Sequence, residues 1–199
     1  MERILAIGAH FDDVEIGIGG TLLKHIEKGD RVFLAVTDYG EFRTGDPKDR
    51  LNEQYNSLNK MNLDRTYLFL FEQNIKDEDS IINTLDQLNV NTIYVPYEKD
   101  THQSHRRTSI IGQAIGRKKH ITSFFYDCGS SYEFYPNLFS MINFEKKLEL
   151  INCFKSQIKC GAINLDIVNK KESYFASLIT DKLDQYAEGF IVRKMEYII

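Results

Sequence analysis

The stretch Ile4-Leu5-Ala6-Ile7-Gly8-Ala9-His10-Phe11-Asp12-Asp13 runs from an unbroken apolar segment directly into an imidazole and two adjacent carboxylates. An apolar run this short and continuous suits a parallel strand covered on both faces. Beyond it, Gly17-Ile18-Gly19-Gly20-Thr21-Leu22-Leu23-Lys24-His25-Ile26 combines glycines, which allow a tight turn and close backbone approach, with apolar residues at helical spacing. The opening unit therefore reads as strand, acidic loop, helix. In an open α/β sheet ligands sit beyond the carboxyl ends of the strands, so His10, Asp12 and Asp13 are expected to face that crevice. Taken alone, an Asp-Asp pair at such a place reads equally as a helix cap and its solvated neighbour. A dinucleotide fingerprint does not fit: Gly8 is followed by Ala9-His10, and paired carboxylates would repel a pyrophosphate unless a cation intervened.

The alternation continues along the chain. Strands are expected at Arg31–Thr37, Thr66–Phe71, Asn91–Val95 and Ile121–Tyr126. Helices are expected near Asp49–Met61, Asp79–Leu88, Ser104–Gly116, Phe144–Ser156 and Lys170–Leu183. The polar segment Asp38–Pro47 and the aromatic segment Ser130–Asn137 read as loops, the latter as a loop wall. Repeated strand-then-helix units predict an α/β protein, a three-layer α/β/α arrangement around a mostly parallel sheet. No linker, repeat or low-complexity tract interrupts residues 1–199, so one domain is expected.

Composition narrows the function classes. A net charge of -4 spread over 199 residues gives no basic stripe of the kind nucleic-acid binding needs. No leader pattern and no apolar stretch long enough to span a bilayer is visible, so a cytoplasmic protein without membrane attachment is expected. Cys128, Cys153 and Cys160 have neither Cys-x-x-Cys spacing nor the density of a disulfide framework, and read as reduced structural thiols.

A second constellation, Asp100-Thr101-His102-Gln103-Ser104-His105, follows the fourth strand and repeats the location of His10. Two strand ends of one parallel sheet can converge on one crevice, which would bring His10, Asp13 and His105 together as two imidazoles and a carboxylate. Three mixed ligands leave a position open, the pattern of catalytic rather than structural zinc, and iron or another divalent ion fits the same donors.

Taken together these motifs resemble the PIG-L/LmbE-like metal-dependent N-deacetylases. Ala9 to Asp13 with Gly17 to Gly20 is similar to the family's Ala-His-Pro-Asp-Asp and Gly-x-Gly-Gly elements, and His102 to His105 to its His-Pro-Asp-His. Thr37 to Glu41, Arg50 to Glu53, Lys155-Ser156-Gln157 and Tyr186 to Phe190 resemble further family elements, so the likeness runs nearly end to end. It implies a Rossmann-like fold and zinc-dependent removal of an acetyl group from an N-acetylglucosamine-type sugar or its conjugate. It further implies His10, Asp13 and His105 as metal ligands, Asp12 as general base, His102 as partner of the oxyanion, and Arg50 near the substrate. Either Asp12 or His102 would protonate the departing amine. Glu15 reads as a helix-start acid, and Tyr126, Tyr132 and Tyr135 as core or loop aromatics that could also line a sugar site. Hydrolysis of another acyl amide, or sugar binding with little turnover, stays open, as does homo-oligomerisation.

Three departures from the family pattern stand out. Phe11 replaces a proline, Val14 replaces an acid, and Gln103-Ser104 replaces Pro-Asp. The resemblance implies that the lost aspartate would orient the first histidine of the second motif, and Asp100 is the nearby carboxylate expected to take its place.

Overall fold

The computed structural model describes residues 1–39, 46–72, 77–118, 120–182 and 185–195. The apolar runs become strands β1 (Arg3–Gly8), β2 (Arg31–Tyr39), β3 (Leu68–Glu72), β4 (Thr92–Pro96) and β5 (Thr122–Tyr126), all parallel to their neighbours. Two further strands, β6 (Leu138–Met141) and β7 (Ala187–Lys194), extend the sheet antiparallel, giving the order β3-β2-β1-β4-β5-β7-β6. The helices are α1 (Asp13–Glu27), α2 (Pro47–Lys60), α3 (Glu78–Asp86), α4 (Gln103–Gly116), α5 (Phe144–Ile151), α6 (Lys155–Lys159) and α7 (Leu165–Ser177).

Alternation along the buried strands divides the core into two layers. Leu5 and Ile7 pack with Ile93, Val95 and the helical Ile81, Leu85, Ile111 and Ile115 of α3 and α4. Ile4 and Ala6 point the other way, to Ile18 and Leu22 of α1 and Leu58 of α2. Each large aliphatic side chain contributes roughly 1.5–3 kcal/mol of burial, and a strand buried on both faces must be apolar throughout. The expected three-layer arrangement is therefore the observed one.

Several boundaries differ from the sequence reading. The expected Phe144–Ser156 helix is two helices, α5 and α6, broken at Asn152-Cys153. The last helix runs over Leu165–Ser177, earlier than Lys170–Leu183; Asn164 starts it by accepting from the Asp166 and Ile167 amides, and Leu183 lies outside the described residues. Neither β6 nor β7 was anticipated. In β7 the reason is a buried acid, Glu188, and a glycine, Gly189, which interrupt the usual apolar pattern.

Glu188 has a specific task. Helix α1 is kinked at Ile18 (φ -142°, ψ 15°), which frees amides in its middle, and Glu188 accepts from Gly20 N at 2.8 Å and Thr21 N at 2.7 Å. The carboxylate caps the second half of α1 from 168 residues away. Lys147 Nζ lies 2.7 Å from Glu188 and 2.8 Å from Glu172, and all three side chains are buried. Close packing also explains two glycines here: a Cβ at Gly17 would fall 2.2 Å from the Tyr126 ring, and one at Gly20 2.7 Å from Ile142.

The topology then sets the site. From β1 the chain moves outward through β2 and β3, and returns to place β4 on the other side of β1. The loops after β1 and β4 thus leave the sheet at the point where the strand order reverses, where a crevice opens.

Candidate active site

Ala9 to Asp12 form the turn between β1 and α1. Asp12 is the N-cap of α1 and sits at φ 94°, ψ -28°, a left-handed conformation that costs a non-glycine residue on the order of 1 kcal/mol or more. The strain is held by its neighbours: Asp13 Oδ2 accepts from Ala9 N at 2.8 Å and His10 N at 2.9 Å, and Ala9 O accepts from Asp38 N at 2.9 Å. This turn orients Asp13 Oδ1 toward the second motif.

Helix α4 delivers that motif. His105, in its first turn, puts Nε2 3.2 Å from Asp13 Oδ1, while its Nδ1 lies 3.0 Å from Asp100 Oδ2. His10 Nδ1 lies 3.6 Å from Asp13 Oδ2, and the His10 and His105 ring centroids are 5.3 Å apart. His102 stacks on His105 at 4.7 Å and meets His10 edge-on at 4.7 Å. All five residues His10, Asp12, Asp13, His102 and His105 line one cavity of about 470 Å³. The structure therefore brings together every catalytic and metal-binding candidate of the two motifs.

Asp100 contacts both histidine positions of the second motif. Its carboxylate accepts from the His102 backbone N–H at 2.7 Å and from Ser130 Oγ at 2.7 Å, and faces His105 Nδ1 at 3.0 Å. It fixes the ring of His105, leaving Nε2 for the cavity. At position 104, the serine hydroxyl donates to the buried carboxylate of Asp38 on β2. His102 is the N-cap of α4 and its Nδ1 accepts from Ser104 N at 3.3 Å, so a neutral His102 carries its proton on Nε2.

Arg50 is not a solvated surface charge. It is buried, donates to Phe11 O at 3.1 Å, and holds Nη2 3.7 Å from Asp12 Oδ2 at the cavity wall. Glu15, also buried, ties α1 to α2 by accepting from Gln54 Nε2 and Ser57 Oγ, each at 2.7 Å. Tyr126 is a core residue whose hydroxyl donates to Ile7 O at 2.6 Å, whereas Tyr132 and Tyr135 are exposed. Gly40 and Glu41 of the Thr37 to Glu41 element lie outside the described residues.

The electrostatics separate the two aspartates. Burial and the neighbouring Asp13 charge push Asp12 well above the usual carboxylate range, with Arg50 opposing. Burial would raise Asp13 too, but the His105 and His10 imidazoles outweigh it and hold Asp13 well below that range. For His105, burial alone would lower the pKa; the Asp13 and Asp100 carboxylates override it and lift the group to about 10. An imidazole clamped between two carboxylates marks a place that calls for positive charge. A divalent ion would meet that demand, and among the described residues two donor groups lie within 4.8 Å of one another, His10 with His102 and His105, and Asp13 with His105 and Cys128.

Among the lining residues not placed in the site from sequence are Gln157 and Cys128, the latter read as a structural thiol. Gln157 of α6 is buried and lines the cavity, and its neighbour Ser156 is clamped by Glu53 of α2 through two bonds of 2.7 Å. Cys128, two residues past β5, also lines it. Its position just beyond a parallel strand was the available signal.

Comparison with known proteins gives a consistent picture. The PIG-L family profile, described as GlcNAc-PI de-N-acetylase, matches residues 5–115. The chain is 31% identical over 113 residues to the uncharacterized deacetylase YaiS of Escherichia coli (strain K12), a match spanning 51% of this chain and 61% of that protein. The conserved protein TT1542 from Thermus thermophilus superposes with TM-score 0.79 at 22% identity, covering 100% of this chain and 98% of that one. For N,N'-diacetylchitobiose deacetylase from Pyrococcus horikoshii the values are 0.75, 19%, 96% and 83%. GalB, a 4-carboxy-2-hydroxymuconate hydratase from Pseudomonas putida KT2440, has the same fold at TM-score 0.75 and 16% identity, with 100% of both chains covered.

Proposed function

The chain belongs to the PIG-L family, and from that premise we propose that it is a metal-dependent N-deacetylase, releasing acetate from an N-acetylated amino sugar or its conjugate. One observation carries this reading: His10, Asp13 and His105, from two strand ends, surround one cavity with a strained, high-pKa Asp12 beside them. The hydratase likeness is one of fold alone, and function is argued from the site.

His10, Asp13 and His105 would hold the ion, zinc in the first place and iron as the alternative. A divalent ion bound there polarises the amide carbonyl and makes water a better nucleophile near neutral pH. Asp12 takes the proton from the attacking water; burial has already raised its affinity for one. As the carbonyl oxygen gains charge, His102 donates its Nε2 proton in a hydrogen bond to it, a contribution of roughly 3–4 kcal/mol for one such donor. The C–N bond then breaks as Asp12 hands its proton to the departing nitrogen. Arg50 keeps the Asp12 side chain in place and offers donors to the acetyl product or an anionic substituent. Asp100 orients His105.

We place the enzyme in the cytoplasm, where the free thiols of Cys128, Cys153 and Cys160 would remain reduced. Among the described residues no helix is long and apolar enough to cross a membrane. The test is acetate release from a panel of N-acetylated amino sugars and conjugates, with formyl and longer acyl amides alongside. Metal-dependent acetate release that Asp12→Ala abolishes supports the proposal. Tight sugar binding without turnover, or turnover of the other amides alone, overturns it.

A further inference from the structure

Cys128 joins the site from a third strand end. It is 8% exposed and lines the same cavity, and its Sγ, an Asp13 carboxylate oxygen and a His105 ring nitrogen all lie within 4.8 Å of one another. Donors sharing one zinc ion stand about 3.5 Å apart, given metal–ligand bonds of about 2.0–2.3 Å. The segment carrying Cys128 is fixed: Asp127 Oδ1 accepts from Gly129 N at 2.8 Å and Ser131 N at 3.3 Å, and Asp127 Oδ2 pairs with Lys171 at 3.1 Å. The thiol is thus held against the cavity by α7 and the sheet together.

We propose that Cys128 is a thiolate ligand to the ion held by Asp13 and His105, so that the centre selects thiophilic divalent ions. On binding, the S–H bond breaks, its proton leaves to bulk water, and the electron pair forms the sulfur–metal bond without any redox change. Soft sulfur favours zinc, cadmium and cobalt over magnesium, which prefers oxygen donors. His105 is common to this set and to the His10, His102 and His105 group. The inference rests on the metal-dependent reading above and adds the identity of a ligand.

The test uses the full chain with Cys153→Ser and Cys160→Ser, leaving Cys128 as the single thiol. The protein is stripped with chelator, loaded anaerobically with cobalt(II), and read both by equilibrium dialysis and by absorption. The expected result is stoichiometric cobalt with a sulfur-to-metal charge-transfer absorption in the near ultraviolet. Adding Cys128→Ser should remove that absorption and weaken cadmium binding on the order of tenfold or more, with magnesium binding unchanged. Stoichiometric cobalt without the absorption overturns the role of Cys128 and leaves the deacetylase reading standing. Failure of the protein to bind cobalt or zinc overturns both. The decisive spectrum is read with Cys128 intact, so a folding failure of Cys128→Ser does not protect the proposal.

Discussion

Asp12 and Asp13 are chemically identical neighbours that the fold turns into different groups. Asp13 is neutralised by two imidazoles, while Asp12 is buried beside a like charge and takes up a proton readily. Asp12→Asn keeps the shape and removes the base, so kcat should fall about 10²- to 10⁴-fold with the folded state and metal content unchanged; acetate-release kinetics and metal analysis check this together. Asp100→Asn should act through His105 instead, weakening metal affinity about 10- to 100-fold. Its activity should recover at high metal concentration, and a variant that stays inactive at saturating metal would contradict that assignment. His10, Asp12, Asp13, His102 and His105 were all legible in sequence, because each falls in a short motif after an apolar run. The Ser104–Asp38 contact and the placement of Cys128 at the cavity were not: they depend on which strands lie side by side, which local pattern does not encode.

At the scale of elements, the unusual member is α1, a helix broken at Ile18 and capped internally by Glu188. The Lys147, Glu172 and Glu188 cluster that supports this cap is fully buried, so removing the cation should leave the Glu188 carboxylate without its counter-charge. Lys147→Met is therefore expected to cost about 3–5 kcal/mol in urea unfolding. Glu172 behaves differently, because burial, only partly offset by Lys147 and Lys171, raises its pKa from 4.5 to about 7. Between those values the folded chain binds more protons than the unfolded one. The stability this group contributes is thus full below pH 4.5 and declines as pH rises to about 7. Glu172→Gln should flatten that decline, seen as a smaller change in urea midpoint between about pH 5 and about pH 8. The parallel strands could be read from their apolar runs. The antiparallel β7 could not, since its acid and glycine serve α1 and α7 rather than the strand itself.

For the molecule as a whole, the proposed metal site would also clasp the two halves of the sheet. An ion held by residues following β1 and β4 would bind only the folded state, so chelator should lower the melting temperature. Restoring zinc at about 100 times its dissociation constant should return about 2.7 kcal/mol of stability. Melting curves with and without chelator measure this, and no shift would mean that no ion bridges the two loops. By itself the sequence determined the layer architecture and the two chemical motifs, because alternation of strand and helix and the run of residue types within a turn are local properties. Only the tertiary structure decided that Asp100 faces His105, that Ser104 donates to Asp38 of β2, and that Glu188 caps the first helix. Those relations depend on strand order and close packing, which bring together groups that are far apart along the chain.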